Sequence, residues 1–151
     1  MVPKRDELQQ KMSRFKDVLR RRGVKVTHQR MEIYCEVART GDHPDAESVY
    51  NAVRKRIPTV SLDTVYRTLW LLMDLRLVST LGSPRERVRF DANMSRHHHF
   101  ICTRCGAARD FYSEQLDTLP IPDAVKALGS VETTHVEVRG LCSRCSKRKR
   151  Q

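Results

Sequence analysis

The sequence lacks any apolar run close to eighteen residues, so it offers no candidate for a membrane-spanning helix. Its first residues are charged and contain no hydrophobic segment of the kind that a secretory signal needs. It also lacks internal repeats, and low complexity is confined to the basic tail at 146–151. These absences predict a cytoplasmic protein with no membrane partner.

Motifs of catalysis are missing as well. The sequence shows no phosphate-binding loop, no separate nucleophile and no substrate-pocket motif. We therefore expect a protein that is not an enzyme. A metal-dependent hydrolase, in which a histidine–aspartate cluster activates water, stays open as a remote alternative. A zinc-stapled interaction module is a third class, but it would leave the basic N-terminal part unexplained.

Acidic residues are too few to balance the basic ones. The chain has 29 Lys and Arg against 18 Asp and Glu, which gives a net charge of +11. Residues 1–90 contain 19 basic and 11 acidic residues, whereas residues 91–151 contain 10 and 7. A basic N-terminal part fits a nucleic-acid partner, because neutralised phosphates release their counterions. Charge alone leaves a solubilising surface equally open.

Apolar residues recur at helical spacing through most of the N-terminal part. The pattern predicts helices over 6–22, 28–39, 46–56 and 62–77. Thr27 and Ser61 are the predicted N-caps of the second and fourth helices, and Asp45 or a nearby residue is predicted to open the third. A short hairpin over 77–91 follows, with its turn at Gly82, Ser83 and Pro84. Helices followed by a hairpin predict a winged helix-turn-helix domain over 1–90.

The C-terminal part, 91–151, has a different pattern. Short strands are predicted over 97–102, 108–112 and 135–142, with a helix over 113–129 that Pro120 and Pro122 make irregular. The fold class predicted for the whole chain is therefore α+β. Domains of about sixty residues are marginally stable alone, and they usually need a metal, a disulfide or a partner subunit.

Four of the five cysteines form two C-x-x-C pairs, Cys102 with Cys105 and Cys142 with Cys145. Each pair can hold one ion between two thiolates, and two pairs complete a tetrahedral sulfur site. A structural zinc ion is the favoured prediction, and two reduced redox pairs are the alternative. The fifth cysteine, Cys35, lies on a helix among apolar residues and is predicted to be a buried thiol.

Histidines and aspartates cluster around the first cysteine pair. His97 and His99 are two residues apart, so on a strand they point to the same face, and His98 points to the other. Asp91 lies just upstream, and a hairpin could return Asp110 beside His99. These side chains suit Fe²⁺, Mn²⁺, Co²⁺ or Zn²⁺. A solvated polar strand is the alternative.

Taken together, several motifs resemble the ferric uptake regulator family, and within it the peroxide-sensing branch. The motifs are GVKVTHQR, HPDAESVYNAV, SLDTVYRTL, RFD, HHHFICTRCG and GLCSRC. The resemblance covers nearly the whole chain. It implies a winged-helix DNA-binding domain joined to a zinc-containing dimerisation domain, and a homodimer that represses transcription from palindromic operator DNA.

The resemblance also implies a set of metal ligands. The structural zinc ligands fall on Cys102, Cys105, Cys142 and Cys145. The regulatory ligands for Fe²⁺ or Mn²⁺ fall on His43, Asp91, His97, His99 and Asp110. The iron-sensing branch typically has glutamate where Asp110 stands, so this aspartate favours peroxide sensing, with His43 and His97 as the oxidised residues. An iron-, manganese- or zinc-uptake regulator is the alternative.

DNA contacts are predicted on the helix that contains DTVYR. Helix-turn-helix proteins insert such a helix into the major groove, and the resemblance points to Tyr66 and Arg67 as contact residues. Phosphate contacts are predicted for Arg21, Arg22, Lys25 and Arg30. The hairpin arginines, Arg85, Arg87 and Arg89, would reach the minor groove or form a solvated wing.

Overall fold

The computed structural model describes residues 5–82 and 87–148. The chain forms two compact units, Met1–Met94 and Ser95–Gln151. Residues 91–94 thus belong to the first unit, whereas the sequence placed the domain boundary after residue 90. No helix within the described ranges is long and apolar enough to cross a membrane.

Among its described residues, the first unit contains four helices and a pair of antiparallel strands. The elements are α1 (Arg5–Arg21), α2 (His28–Arg39), α3 (Ala46–Arg54), α4 (Leu62–Asp74), β1 (Ser79–Leu81) and β2 (Arg89–Asp91). The predicted winged helix is confirmed, although α3 and α4 end earlier than expected. Ser83, Pro84 and Arg85 lie outside the described residues.

A side-chain cap forms at each of the three predicted helix starts. The side chains of Thr27, Asp45 and Ser61 accept hydrogen bonds from backbone N–H groups three residues later. Each cap satisfies a donor that the first turn leaves unpaired, and a cap of this kind stabilises a helix by about 1 kcal/mol. Local sequence therefore fixes where α2, α3 and α4 begin.

The core of the first unit orients α4. Val65, Leu69 and Leu72 on this helix are fully buried, as the helical spacing predicts. The other face of α4 remains accessible, and Tyr66 and Trp70 are 40% and 44% exposed on it. The DTVYR segment therefore presents one side to the core and the other to solvent.

The second unit is built on a three-stranded sheet. Its strands are β3 (His98–Cys102), β4 (Ala108–Phe111) and β5 (Glu137–Gly140), in the order β4-β3-β5. Strand β4 pairs with β3 in the antiparallel direction and β5 pairs with it in the parallel direction. This mixed pairing brings the chain segments that follow β3 and β5 to the same end of the sheet.

The predicted helix over 113–129 is wrong. Two one-turn helices, α5 (Glu114–Asp117) and α6 (Asp123–Lys126), replace it. Pro120 and Pro122 lie between them, and proline removes a helical hydrogen bond and clashes with the preceding turn. A further short helix, α7 (Ser143–Lys147), follows β5 and was not predicted.

Candidate metal centres and DNA-binding surface

The four paired cysteines converge at one end of the second sheet. Strand β3 ends at Cys102, and its register partner on β5 is Gly140, two residues before Cys142. The four sulfur atoms all lie within 4.8 Å of one another. The Sγ atoms of Cys105 and Cys142 are 3.8 Å apart. A tetrahedral zinc ion with Zn–S bonds of about 2.3 Å requires sulfur atoms about 3.8 Å apart, so the cluster fits structural zinc.

Backbone donors and burial shift the pKa values of these thiols in opposite directions. The Cys142 N–H group donates to Cys102 Sγ at 3.4 Å, and this bond leads the causes that lower the pKa of Cys102 to about 6. Burial raises the pKa of Cys145 to about 12. Backbone donors thus favour the thiolate of Cys102, whereas burial opposes the thiolate of Cys145. A divalent cation binds sulfur ligands in their deprotonated form.

Two arginines support the cluster in different ways. The Arg104 guanidinium donates to the carbonyl oxygens of Cys145 and Arg148 at 2.7 and 2.9 Å, which fixes α7 against the turn after β3. Arg144 instead hydrogen-bonds the sulfur of Cys105, and this contact raises the pKa of the guanidinium. Arg144 therefore contacts a sulfur atom, whereas Arg104 positions the backbone.

Three of the predicted regulatory ligands lie together on the second sheet. Strand pairing places His99 opposite Asp110, as the hairpin prediction required. The Nε2 atoms of His97 and His99 are 2.9 Å apart, and they lie 3.8 and 3.6 Å from Asp110 Oδ1. Two imidazole nitrogens bound about 2.1 Å from one ion, at right angles, lie about 3.0 Å apart. The spacing therefore fits adjacent positions on one cation.

The tautomer of His97 also fits metal binding. Its Nδ1 atom lies 2.7 Å from the Ser95 carbonyl oxygen, which can only accept, so Nδ1 carries the proton and the neutral ring has a lone pair at Nε2. Histidine ligands commonly use such a bond to fix the ring. His98 points to the opposite face of the strand. Its Nδ1 accepts a hydrogen bond from the Val136 N–H group, and its Nε2 lies 3.2 Å from Asp117 Oδ1.

The other two predicted ligands form a buried pair in the first unit. His43 is 2% exposed and Asp91 is 3% exposed. The His43 Nδ1 and Asp91 Oδ1 atoms are 3.5 Å apart, and the Asn93 N–H group donates to the same carboxylate oxygen at 2.7 Å. A histidine and a carboxylate buried side by side suit a divalent cation, so each unit contributes part of the predicted ligand set.

The predicted DNA-contacting residues lie on the accessible side of the first unit. The Arg67 side chain is 81% exposed, and its Nε lies 2.9 Å from Asp63 Oδ2 one turn earlier. Arg67 and Arg30 line the same cleft of about 270 Å³. Arg21, Arg22 and Lys25 are exposed at and after the end of α1. Their role in DNA binding remains a prediction.

The described hairpin arginines bind the protein itself. Arg87 forms ion pairs with Asp45 and Glu47 at 3.2 and 2.7 Å. Arg89 donates to two backbone carbonyl oxygens, a role that no sequence pattern indicated.

Cys35 is only half-buried rather than fully buried, and burial leads the causes that raise its pKa. It is therefore a poor thiolate nucleophile at neutral pH.

A winged helix, a four-cysteine cluster and a histidine–aspartate cluster together define a metal-responsive regulator. The chain matches the Ferric uptake regulator family over residues 21–139, and it belongs to that family. It is 32% identical over 131 residues to the peroxide-responsive repressor PerR of Staphylococcus epidermidis, with 85% of this chain and 86% of that protein covered. The resemblance in the sequence is thus confirmed.

Solved structures agree with the fold. The ferric uptake regulator of Helicobacter pylori superposes with a TM-score of 0.75 at 20% identity, covering 95% of this chain and 96% of that one. PerR from Streptococcus pyogenes superposes with a TM-score of 0.52 at 25% identity, covering 89% and 92%. The predicted α+β architecture is confirmed.

Proposed function

We propose that the protein is a metal-dependent transcriptional repressor that binds palindromic double-stranded DNA as a homodimer in the cytoplasm. Hydrogen peroxide inactivates it through iron-catalysed oxidation of His43 or His97. The observation that carries this proposal is the cluster of His97, His99 and Asp110, whose spacing fits one divalent cation. The relative at 32% identity is a peroxide-responsive repressor, which supports the same signal.

In this proposal, His43 and Asp91 join the cluster on the second sheet to bind one Fe²⁺ or Mn²⁺ ion. Five nitrogen and oxygen ligands would leave one octahedral position for peroxide. Bound Fe²⁺ supplies the redox chemistry, whereas Mn²⁺ binds the same hard ligands without this reaction. Oxidation of His97 would remove the lone pair that the Ser95 carbonyl fixes at Nε2. Loss of a ligand would then release DNA.

The proposed DNA contacts follow from the exposure of α4. Tyr66 offers its ring to a thymine methyl group, and Arg67 offers a planar fork to guanine. The exposed basic residues near α1 bind phosphates, which positions the helix without specifying sequence. Two copies related by a two-fold axis would present two such helices to the two halves of a palindrome.

The surface of the second unit supports the homodimer. Large apolar side chains are exposed there, and Leu119, Leu128, Val138 and Leu141 are all more than 40% accessible. Strand β5 is an edge of the described sheet, so its outer backbone groups are open to a further strand. A second copy would cover both features.

The test compares the iron and manganese forms of the zinc-loaded protein. Duplexes are selected from a random pool with the Mn²⁺ form, and binding is then measured before and after a brief peroxide pulse. We expect the iron form alone to lose binding and to gain oxygen on a peptide containing His43 or His97. His135→Ala is the control, since His135 belongs to neither cluster, and it should behave as the wild type.

Other outcomes identify the alternatives. Loss of binding with intact histidines and oxidised, zinc-free cysteines would make the protein a thiol sensor. Resistance of both forms to peroxide would instead support a regulator of iron, manganese or zinc uptake. Metal-dependent hydrolysis without duplex binding would overturn the repressor proposal.

A further inference from the structure

His43 adopts a backbone conformation that its sequence disfavours. Its φ is +47°, in the left-handed region that non-glycine residues seldom occupy. Pro44 follows directly, and a residue before proline prefers an extended backbone. Such a conformation persists only where the surrounding structure holds it. The neighbouring contacts should therefore reveal what keeps this loop in place.

Strand β2 supplies those contacts along its second edge. The Phe90 N–H group donates to the Pro44 carbonyl oxygen at 3.0 Å, and Arg89 forms an antiparallel bridge with Asp45. Pro44 and Asp45 therefore lie beside β2, joined to it by one hydrogen bond and one isolated bridge. Asp91 ends the same β2 strand, so one strand contacts the loop with its backbone and presents a carboxylate to the His43 ring.

Arg89 adds a side-chain clamp to this edge. Its Nη1 group donates to the carbonyl oxygens of Asp42 and His43 at 3.2 and 3.4 Å. These two oxygens flank the strained residue, and hydrogen bonds from a charged guanidinium are stronger than those from a neutral donor. Without the clamp, the His43 backbone could relax toward the extended conformation that Pro44 favours. That relaxation would rotate the imidazole away from Asp91.

We propose that Arg89 is a positioning residue for the regulatory metal, which acts by holding His43 in its left-handed conformation beside Asp91. The inference rests on the proposed regulatory site. It gives Arg89 a role other than the DNA contact that its place in the wing suggested. Removing residues that orient metal ligands weakens metal affinity by about 10–100-fold, and a similar loss is expected for Arg89→Ala.

The experiment titrates Mn²⁺ into the zinc-loaded full chain and follows free Mn²⁺ by electron paramagnetic resonance. Arg89→Ala should bind Mn²⁺ at least about tenfold more weakly, with unchanged zinc content and melting temperature. Arg89→Lys keeps a charged donor and should recover most of the affinity. Arg87→Ala removes a neighbouring arginine whose partners among the described residues are the side chains of Asp45 and Glu47, and it should bind Mn²⁺ as the wild type does.

Three results decide the inference. Wild-type Mn²⁺ affinity in Arg89→Ala, alongside weakened binding in His43→Ala, would overturn the clamp and leave the regulatory site standing. Unchanged affinity in His43→Ala would overturn the regulatory site itself. A DNA-binding defect of Arg89→Ala that persists at saturating Mn²⁺ would show that Arg89 contacts DNA. If the alanine variant melts early, Arg89→Met keeps the aliphatic stem without the donors and takes its place.

Discussion

The cysteine cluster and the proposed histidine–aspartate ligands differ in how they would hold a metal. All four sulfurs belong to one unit and lie at one end of one sheet. The proposed regulatory ligands are shared between two units, and one of them is in a strained loop. Burial and backbone hydrogen bonds preassemble the first site. The proposed second site depends on the contacts that hold the His43 loop, and these contacts can be lost. Such a site suits a metal whose binding changes with conditions.

The largest effect should come from breaking the preassembled site. Cys102→Ser or Cys142→Ser should lose zinc and unfold the second unit, because the binding energy of structural zinc, on the order of 10 kcal/mol, is folding energy. Zinc content and thermal melting measure both consequences. Cys35→Ser is the control and should retain full zinc. Full zinc retention with unchanged melting in either mutant would refute the sulfur site.

A smaller effect is expected when the cysteine ligands are kept and their support is removed. Arg104→Ala frees the carbonyl oxygens of Cys145 and Arg148, so α7 should hold Cys145 less firmly. Zinc affinity should fall by about 10–100-fold, as it does when outer ligands are lost at other sites. Competition with a chromophoric chelator measures this change. An affinity equal to that of the wild type would show that the sheet alone positions the sulfurs.

An effect of comparable size is expected on DNA binding, and it should leave both metal sites intact. Arg67→Ala should weaken binding to the selected palindrome by about 1–3 kcal/mol, and weaken binding to random duplex less. Arg21→Ala should weaken both alike, since a phosphate contact carries no sequence information. Fluorescence anisotropy at fixed salt compares the two. Equal losses for both mutants on both duplexes would mean that α4 is not the recognition helix.

The sequence predicted those features that local chemistry determines. Thr27, Asp45 and Ser61 marked the helix starts because a cap needs only a side chain and a nearby N–H group. The paired cysteines and the alternation of His97 and His99 were equally local. Pro120 and Pro122 signalled irregularity, but not that two separate helical turns would replace a helix.

The hydrogen bonds that Arg89 and Arg104 donate to distant backbone carbonyl groups could not be predicted in the same way. Arg89 donates to carbonyl groups 47 and 46 residues away, and Arg104 to groups 41 and 44 residues away. Every residue has a carbonyl group, so the acceptors leave no trace in the amino-acid pattern. The left-handed backbone of His43 was hidden for a similar reason, since it depends on the strand packed beside it.

The parallel pairing of β3 with β5 gives the zinc site a consequence for folding. A metal that joins Cys105 to Cys142 closes a chain segment of 37 residues, as a disulfide would. Loop closure of that length removes unfolded-state entropy worth about 4 kcal/mol at 25 °C when the crosslink persists in the unfolded chain. Parallel strands are slow to meet because the loop must close before their contacts form. An ion captured early by the two C-x-x-C turns would bring the distant strands together, so zinc would act on the folding pathway as well as on the folded protein.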